Sequence, residues 1–206
     1  KVMSHVLEAM AVSGKANREE VNTILKNIAL KNPTLIGIWT VWEPNTFDGK
    51  DIDYADTEGH DSTGRFIPYW TRESGELKLR ALKSYNTSTL GNYHAICKDS
   101  KKEVLLTPYQ YKVADKILTI TTIAYPILDK NNNFIASVGM DLDLSDFQKV
   151  VAQITPFEIG FASIIGDDGN YIASSNKAEV GSQINEGKFH WNHIRRLLAN
   201  GQFFSA

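Results

Sequence analysis

The stretch TTIAYPILDKNNNFIASVGMDLDL, residues 121–144, contains two segments rich in β-branched and apolar residues on either side of the polar run DKNNN. A short polar run of this kind between two strand-like segments is typical of a turn. The sequence therefore predicts an antiparallel hairpin with strands at 116–129 and 134–144.

The second strand of this hairpin sorts its side chains onto two faces, because successive side chains of a strand point to opposite sides. One face is apolar and consists of Phe134, Ala136, Val138, Met140, Leu142 and Leu144. The other consists of Ser137, Gly139, Asp141 and Asp143. Since Gly139 lets another group approach the backbone closely, we expect a concavity with Asp141 at its rim. Asp143 is expected on a solvated outer face.

The N-terminal part of the chain predicts two helices. The first is already under way in the opening residues, so we expect its start upstream. Asn17 caps the second helix, and Pro33 ends it. The buried stripe of the second helix is predicted to be Val21, Ile24, Leu25 and Ile28.

Further strands are predicted at 35–43, 66–73 and 106–111 from their β-branched and aromatic residues. The segments 77–82 and 93–97 give no clear pattern. Residues 44–64 form a long polar stretch, and a connection of this length is more often a binding loop than a spacer.

A second cycle of elements begins after Pro156. Ser145 is predicted to cap a short helix that ends there, EIGFASIIGDDGNYIASS (158–175) predicts a hairpin, a helix follows at about 187–200 capped by Gly201, and a strand starts at 202–206. We therefore divide the chain into an N-terminal helical segment (1–33), a first lobe (34–156) and a second lobe (157–206). The second lobe buries too little apolar surface to fold alone, so it is predicted to be incomplete.

The composition excludes several classes of function. A formal charge of -2 with no basic stripe argues against nucleic acid as a partner. No segment reaches the roughly 18 apolar residues that span a bilayer, and Cys97 has no second cysteine for a disulfide. Because nucleophile, phosphate-loop and zinc motifs are missing and the histidines are scattered, we expect no catalytic residue, no cofactor and no metal.

The segment TGRFIPYW, residues 63–70, concentrates aromatic rings around one arginine. In an extended strand Arg65, Ile67 and Tyr69 share one face, while Phe66, Pro68 and Trp70 share the other. Because Pro68 removes a ladder donor, this strand is expected at a sheet edge or a bulge.

These aromatic residues are candidates for a binding site. Tyr69 and Trp70, together with Tyr109 and Tyr111, are candidate walls around an ammonium group, with Asp141 as its counter-charge. Arg65 has two possible roles, a fork for a carboxylate or an ordinary surface charge.

The order of these elements resembles the double Cache domain, the extracytoplasmic sensor of bacterial and archaeal methyl-accepting chemotaxis proteins and of some sensor kinases. The resemblance is carried by WEPNTFDGKD (42–51), DSTGRFIPYWTR (61–72), the hairpin 121–144 and the segment 158–175. It implies an α+β fold with a long N-terminal helix, a PAS-like antiparallel-sheet distal lobe that binds the ligand, and a smaller PAS-like proximal lobe.

The amino-acid-binding branch of that family implies specific roles. There an Arg followed by a Trp-Tyr pair grips the carboxylate, while a Tyr-x-Asp and a final Asp hold the amine. By motif, Arg65 and the pair Tyr69 and Trp70 take the first role, and Tyr109 and Asp141 take the second. The chain departs from the pattern in two places: FIP separates the Arg from its pair, and Tyr111 replaces the second Asp. The added ring shifts the expected ligand toward a less ammonium-like or more methylated compound.

The resemblance implies the extracytoplasmic sensing domain of a transmembrane chemoreceptor that binds an amino acid, betaine or amine. Its signal would pass through the N-terminal helix, its membrane anchors would flank this sequence, and the receptor would be a homodimer. Two alternatives stay open: the sensor module of a histidine kinase, and an interaction module that senses through a partner protein. A third and weaker hypothesis is a hydrolase that uses Asp141 and Asp143 as a carboxylate pair.

Overall fold

The computed structural model describes residues 2–13, 17–73, 75–83, 85, 93–113, 116–155, 159–166, 169–185 and 190–199. The chain divides into two compact units. The first contains residues 1–106 and 110–143, and the second contains residues 107–109 and 144–206.

The first unit begins with helices α1 (Val2–Ser13) and α2 (Arg18–Lys31). The side chain of Asn17 accepts a hydrogen bond from the backbone N–H of Glu20 at 2.7 Å, which confirms the predicted cap. The buried residues of α2 include Val21 and Leu25, with Ile24 and Ile28 partly buried. The predicted stripe is therefore the face by which α2 packs on the sheet.

A seven-stranded sheet forms the centre of this unit. Its strands are β1 (Leu35–Trp42), β2 (Pro68–Glu73), β3 (Glu76–Ala81), β4 (Val104–Leu105), β5 (Tyr109–Val113), β6 (Lys116–Leu128) and β7 (Phe134–Asp143). The order is β3-β2-β1-β7-β6-β4, and β5 pairs with β6. The antiparallel pairing of β6 with β7 confirms the predicted hairpin and sets Thr122 opposite Asp141.

The two faces of the sheet have separate cores, as alternation predicts. Phe66, Ala136 and Val138 lie in the core that α1 and α2 cover. Trp39, Ile67 and Tyr69 lie in the opposite core, which helix α3 (Tyr93–Ser100) covers. Residues 93–97 showed no clear pattern in the sequence, yet helix α3 covers the face that carries Asp141.

Two predictions about the sheet are wrong. β2 is not an edge strand, because it lies between β1 and β3. Pro68 is tolerated there as the first residue of the strand, a position where sheets accept proline. Phe134 packs in the core beneath α3 instead of sharing a face with Ala136, because the register shifts between Ile127 and Leu128.

The second unit contains helix α4 (Ser145–Ala152), strands β8 (Ser163–Ile165) and β9 (Tyr171–Ser174), and helix α5 (Trp191–Ala199). The antiparallel pair β8–β9 is the hairpin that the sequence predicts. The N-cap of α4 is Leu144 rather than the predicted Ser145. The predicted cap at Gly201 and strand at 202–206 lie outside the described residues.

Helix α4 groups with the second unit, whereas the predicted boundary at residue 156 placed it in the first lobe. The reason is a pair of hydrogen bonds to β9: the side chain of Gln148 donates to the carbonyl oxygen of Ser174 at 2.6 Å and accepts from its N–H at 3.0 Å.

In the described part of the chain, no helix combines the length and the apolar character needed to cross a bilayer.

The polar stretch 44–64 is folded onto α2 through Arg18, which is only 4% exposed. The Arg18 guanidinium donates to Asp48 at 2.6 Å, to Asp51 at 2.7 Å and to the carbonyl oxygen of Gly64 at 2.9 Å. It also lies 4.2 Å from the centre of the Tyr54 ring. One buried side chain of the second helix therefore holds both ends of the loop.

We expect Arg18→Met to lower the free energy of unfolding by about 3 to 5 kcal/mol, because it leaves two carboxylates without their cation. Lys31→Met, an exposed position on the same helix, is the matched control and should change it by less than about 0.5 kcal/mol. Urea unfolding measures both. Equal effects would mean that Arg18 is not the anchor of the loop.

Candidate functional site: a buried carboxylate between aromatic rings

Asp141 is the central group of the candidate site. It projects from β7 toward the α3 side of the sheet and is only 6% exposed. Its carboxylate accepts a hydrogen bond from the Thr122 hydroxyl at 2.7 Å and a longer one from the Trp39 indole at 3.5 Å. Among the described residues, no Lys, Arg or His side chain forms an ion pair with it. Burial raises the pKa of Asp141 above its ordinary value, although these hydrogen bonds oppose the shift.

Two aromatic rings lie on bare backbone on either side of this carboxylate. Trp39 occupies the space over Gly139, and Tyr69 occupies the space over Gly37, so that a Cβ atom at either glycine would overlap a ring. The pairing of β1 with β7 sets Trp39 opposite Gly139 and Gly37 opposite Asp141. Strand register and two missing side chains thus create a slot for the rings.

The Tyr69 hydroxyl is buried and has no hydrogen bond of good geometry to any described residue. It lies close to Asp141 and Thr71 without adequate hydrogen-bond geometry to either, and burial followed by the negative charge of Asp141 raises its pKa well above the usual value. Among the described residues, a carboxylate without an ion-pair partner and a hydroxyl without a well-aligned hydrogen bond therefore adjoin. A small donor carrying positive charge would satisfy both groups.

Helix α3 forms the outer wall of the slot. The Tyr93 ring packs on Trp39 with a centroid distance of 4.5 Å and an interplanar angle of 32°. Trp39, Thr122 and Tyr93 were missed as site residues by the sequence reasoning. Two of them could have been found from the sequence. Alternation along 35–43 places Trp39 on the same face as Gly37, and the register of the predicted hairpin places Thr122 opposite Asp141.

The structure brings together some of the predicted site residues. Tyr69 and Asp141 adjoin, and the charge of Tyr111, which is 37% exposed, also contributes to the raised pKa of Tyr69. Tyr109 is the first residue of β5. Trp70 lies on the opposite face, where its indole donates to Asn22 at 3.2 Å. The predicted opening beside Gly139 is filled by Trp39.

Arg65 lies beneath α3 and is engaged with other protein groups. Its guanidinium donates to Glu43 at 2.8 Å, to the backbone carbonyl of Trp42 and, at 3.4 Å, to the Tyr85 hydroxyl. It is 7% exposed. Arg65 therefore forms its ion pair with Glu43. It is not a solvent-exposed surface charge, and its described partners do not include Asp141.

Glu43, Arg65, His94 and Lys98 form what we call the ionic cluster. His94 Nε2 lies 2.9 Å from a Glu43 carboxylate oxygen, and Lys98 donates to the other oxygen at 2.6 Å. The hydrogen bond with His94, supported by Lys98 and the charge of Arg65, lowers the pKa of Glu43 to about 2 against the effect of burial. This carboxylate, unlike Asp141, is fully compensated.

Within the ranges the structure describes, no group of three or more His, Cys, Asp or Glu side chains is arranged to bind a metal ion.

The helix-flanked antiparallel sheet of the first unit is the architecture of PAS-like sensor domains. Residues 21–149 match the family model described as the methyl-accepting chemotaxis protein-like first PDC sensor domain. The chain belongs to this family, which confirms the predicted resemblance and the predicted fold class.

Known proteins agree with this assignment. The chain is 28% identical over 202 residues to the methyl-accepting chemotaxis protein TlpQ of Pseudomonas aeruginosa, covering 90% of this chain and 28% of that protein. The extracellular domain mmHK1S-Z2, from a protein classed as a histidine kinase, is 30% identical with a TM-score of 0.79, over 96% of this chain and 73% of that one. The ligand-binding domain of the P. aeruginosa amino-acid chemoreceptor PctB, in complex with L-Arg, shares the fold at 14% identity and a TM-score of 0.54, over 88% and 64%.

We expect Gly139→Ala to lower the free energy of unfolding by about 1 to 3 kcal/mol, because the added methyl group overlaps the Trp39 ring. In a Trp39→Leu background the same change should have a smaller effect, since the overlapping ring is gone. A double-mutant cycle by urea unfolding measures this coupling. Additive effects would show that Trp39 does not fill the slot.

Proposed function

We propose that this chain is the extracytoplasmic ligand-sensing domain of a transmembrane chemoreceptor. It is proposed to bind a small metabolite that carries an amine or quaternary amine, such as an amine, betaine or amino acid, beside Asp141 after the Trp39 and Tyr69 rings move apart. The domain makes and breaks no bond. Membership of the chemoreceptor sensor family and similarity to extracellular domains support this function.

The observation that carries the proposal is the uncompensated Asp141 carboxylate. A buried charge is costly unless a counter-charge or hydrogen bonds offset it, and the described partners of Asp141 are neutral: the Thr122 hydroxyl, the Trp39 indole and the nearby Tyr69 hydroxyl. A ligand ammonium would provide the missing charge, and the faces of Trp39 and Tyr69 suit a cation. The unsatisfied Tyr69 hydroxyl provides a further polar contact.

The ligand's cationic end is the feature that the slot recognises. Arg65, the predicted carboxylate fork, is paired with Glu43, so we assign it to holding the wall of the site. Tyr111 is half-exposed beside Tyr69 and is proposed as the entrance side of the slot. Tyr109 stays a predicted contact, and Trp70 is left out because it faces α2.

The signal is proposed to leave through the N-terminal helices of a membrane-anchored homodimer. A ligand shifts a conformational equilibrium only if it binds the two states differently. Arg18 joins α2 to the loop 44–64, so a movement of that loop would be passed to the helix.

A histidine-kinase sensor is the second candidate. The specific observation in its favour is the 30% identity to the extracellular domain mmHK1S-Z2. Ligand recognition would be the same in both cases, and only the output domain would differ.

A thermal-shift panel of choline, glycine betaine, ethanolamine, L-arginine and acetate tests the ligand class. We expect a cationic compound to raise the melting temperature, because it binds only the folded state, and acetate to have no effect. If no compound with an amine or quaternary amine raises it, the interaction-module alternative gains support. A shift with acetate alone would contradict the proposal.

We expect Asp141→Asn to weaken binding of the cationic compound by about 30-fold or more, since it removes the counter-charge. Asp143→Asn, two positions along the same strand, is the matched control and should bind nearly as well as the wild type. Titration calorimetry measures both. Equal losses would show that general surface charge, not the slot, attracts the ligand.

Stability provides a second measurement on the same variant. Because the folded-state pKa of Asp141 is raised, its ionisation lowers the stability of the wild type as pH rises past the ordinary value of 3.8. At neutral pH, Asp141→Asn should therefore be at least as stable as the wild type. A clear loss of stability would indicate a structural role for the carboxylate.

A further inference from the structure

His94 is a buried titratable group with no role in the proposed function. It lies on α3, is 1% exposed, and has its Nδ1 2.7 Å from the Ser137 hydroxyl on β7. Its other nitrogen, Nε2, lies 2.9 Å from Glu43 and 3.2 Å from Arg65. His94 thus joins α3 to the end of β1, to the segment before β2, and to β7.

A neutral imidazole satisfies this environment in one tautomer. The proton lies on Nε2, where it is donated to the Glu43 carboxylate, while the unprotonated Nδ1 accepts from the Ser137 hydroxyl. The protonated ring would instead place a third positive charge beside Arg65 and Lys98, which already share the single Glu43 carboxylate. Tyr85, a further titratable neighbour among the described residues, meets the ring edge-on at a centroid distance of 5.9 Å and brings no negative charge, because burial raises its pKa.

The residue next to His94 closes the slot. Tyr93 packs on Trp39, whose indole donates to Asp141. A change in the position of α3 at His94 therefore alters the packing of Trp39 over Gly139. The ionic cluster and the Asp141 slot are thus connected through adjacent residues of α3, because His94 contacts the first and Tyr93 contacts the second.

We propose that His94 is a positioning residue that holds α3 over the Asp141 slot while it is neutral and loosens this helix when it is protonated. The sensor would then lose affinity for its ligand in acid. This inference rests on the proposed function for its biological meaning, but its structural part does not require a ligand.

The expected pH window follows from the surroundings of His94. Burial, followed by the charges of Arg65 and Lys98, lowers the pKa of His94 from the ordinary 6.5 although Glu43 opposes the shift. As pH falls, His94 therefore takes up a proton at a higher pH in the unfolded or opened form than in the folded form. The packing of α3 on the sheet is expected to weaken below about pH 6.5. Glu43 stays ionised through this window because its pKa is about 2.

Amide hydrogen exchange of residues 93–100 at about pH 7.5 and about pH 5.5, corrected for the intrinsic pH dependence of exchange, tests the inference. We expect protection in the wild type to fall by about threefold or more at the lower pH. His94→Gln should remove this response. His60→Gln is the control, because His60 is another buried histidine with a lowered pKa and it lies in the loop 44–64; it should leave the response intact.

Lys98→Met is a second variant that keeps the test decisive if His94→Gln does not fold. The Lys98 side chain is 51% exposed, so the change is tolerated, and removing one of the competing positive charges should reduce the pH response. A wild type with equal protection at both pH values, or a response unchanged in both variants, would overturn the inference. Because no ligand is present, such a failure is distinct from a failure of amine binding.

Discussion

The first unit depends on one electrostatic constraint: Asp141 is a carboxylate held in a nearly dry slot with neutral hydrogen-bond donors as its described partners. Burying such a charge opposes folding unless something compensates for it. Here the Thr122 hydroxyl and the Trp39 indole compensate in part. Both reach Asp141 through strand register, because β7 pairs with β6 on one side and with β1 on the other. The slot therefore exists only if the centre of the sheet is in register and Gly37 and Gly139 leave room for the rings.

The contrast with Glu43 is the reason for proposing Asp141 as the recognition group. Both carboxylates lie beneath α3, yet their pKa values are shifted in opposite directions. Glu43 is surrounded by cationic and hydrogen-bonding partners, which lower its pKa, whereas Asp141 has neutral donors and a raised pKa. A fully compensated ion pair gains little from a further cation, and its role is to fix the position of the elements it joins. A carboxylate without a counter-charge would gain much from one, so the proposal assigns a structural role to Glu43 and a binding role to Asp141.

Periodicity predicted the parts of this arrangement that are set by the backbone. The alternation of side chains along β7 placed Asp141 and Ser137 on one face, and the turn after Leu128 predicted the central hairpin. Which groups meet across the interior was not predictable in the same way. Arg65 finds Glu43 because the segment before β2 returns to the end of β1, a tertiary contact that no local pattern encodes. Phe134 changed faces because of an irregularity in register, and α3 was missed because eight residues give too little helical period to recognise.

Asp141 therefore has no ion-pair partner among the described residues, whereas Glu43 on the same face has three nitrogen partners, from Arg65, His94 and Lys98. Natural folds often keep such unfavourable groups where function requires them, at some loss of stability. A cation in the slot would remove a cost that is already present in the free protein. Its binding would then favour the arrangement in which Trp39, Tyr93 and α3 close around it over any in which Asp141 is hydrated. A ligand can shift a conformational equilibrium only by the difference in its affinity for the two states. The Asp141 carboxylate is costly in the closed state and not in the state in which it is hydrated, so a cation would bind the closed state more tightly.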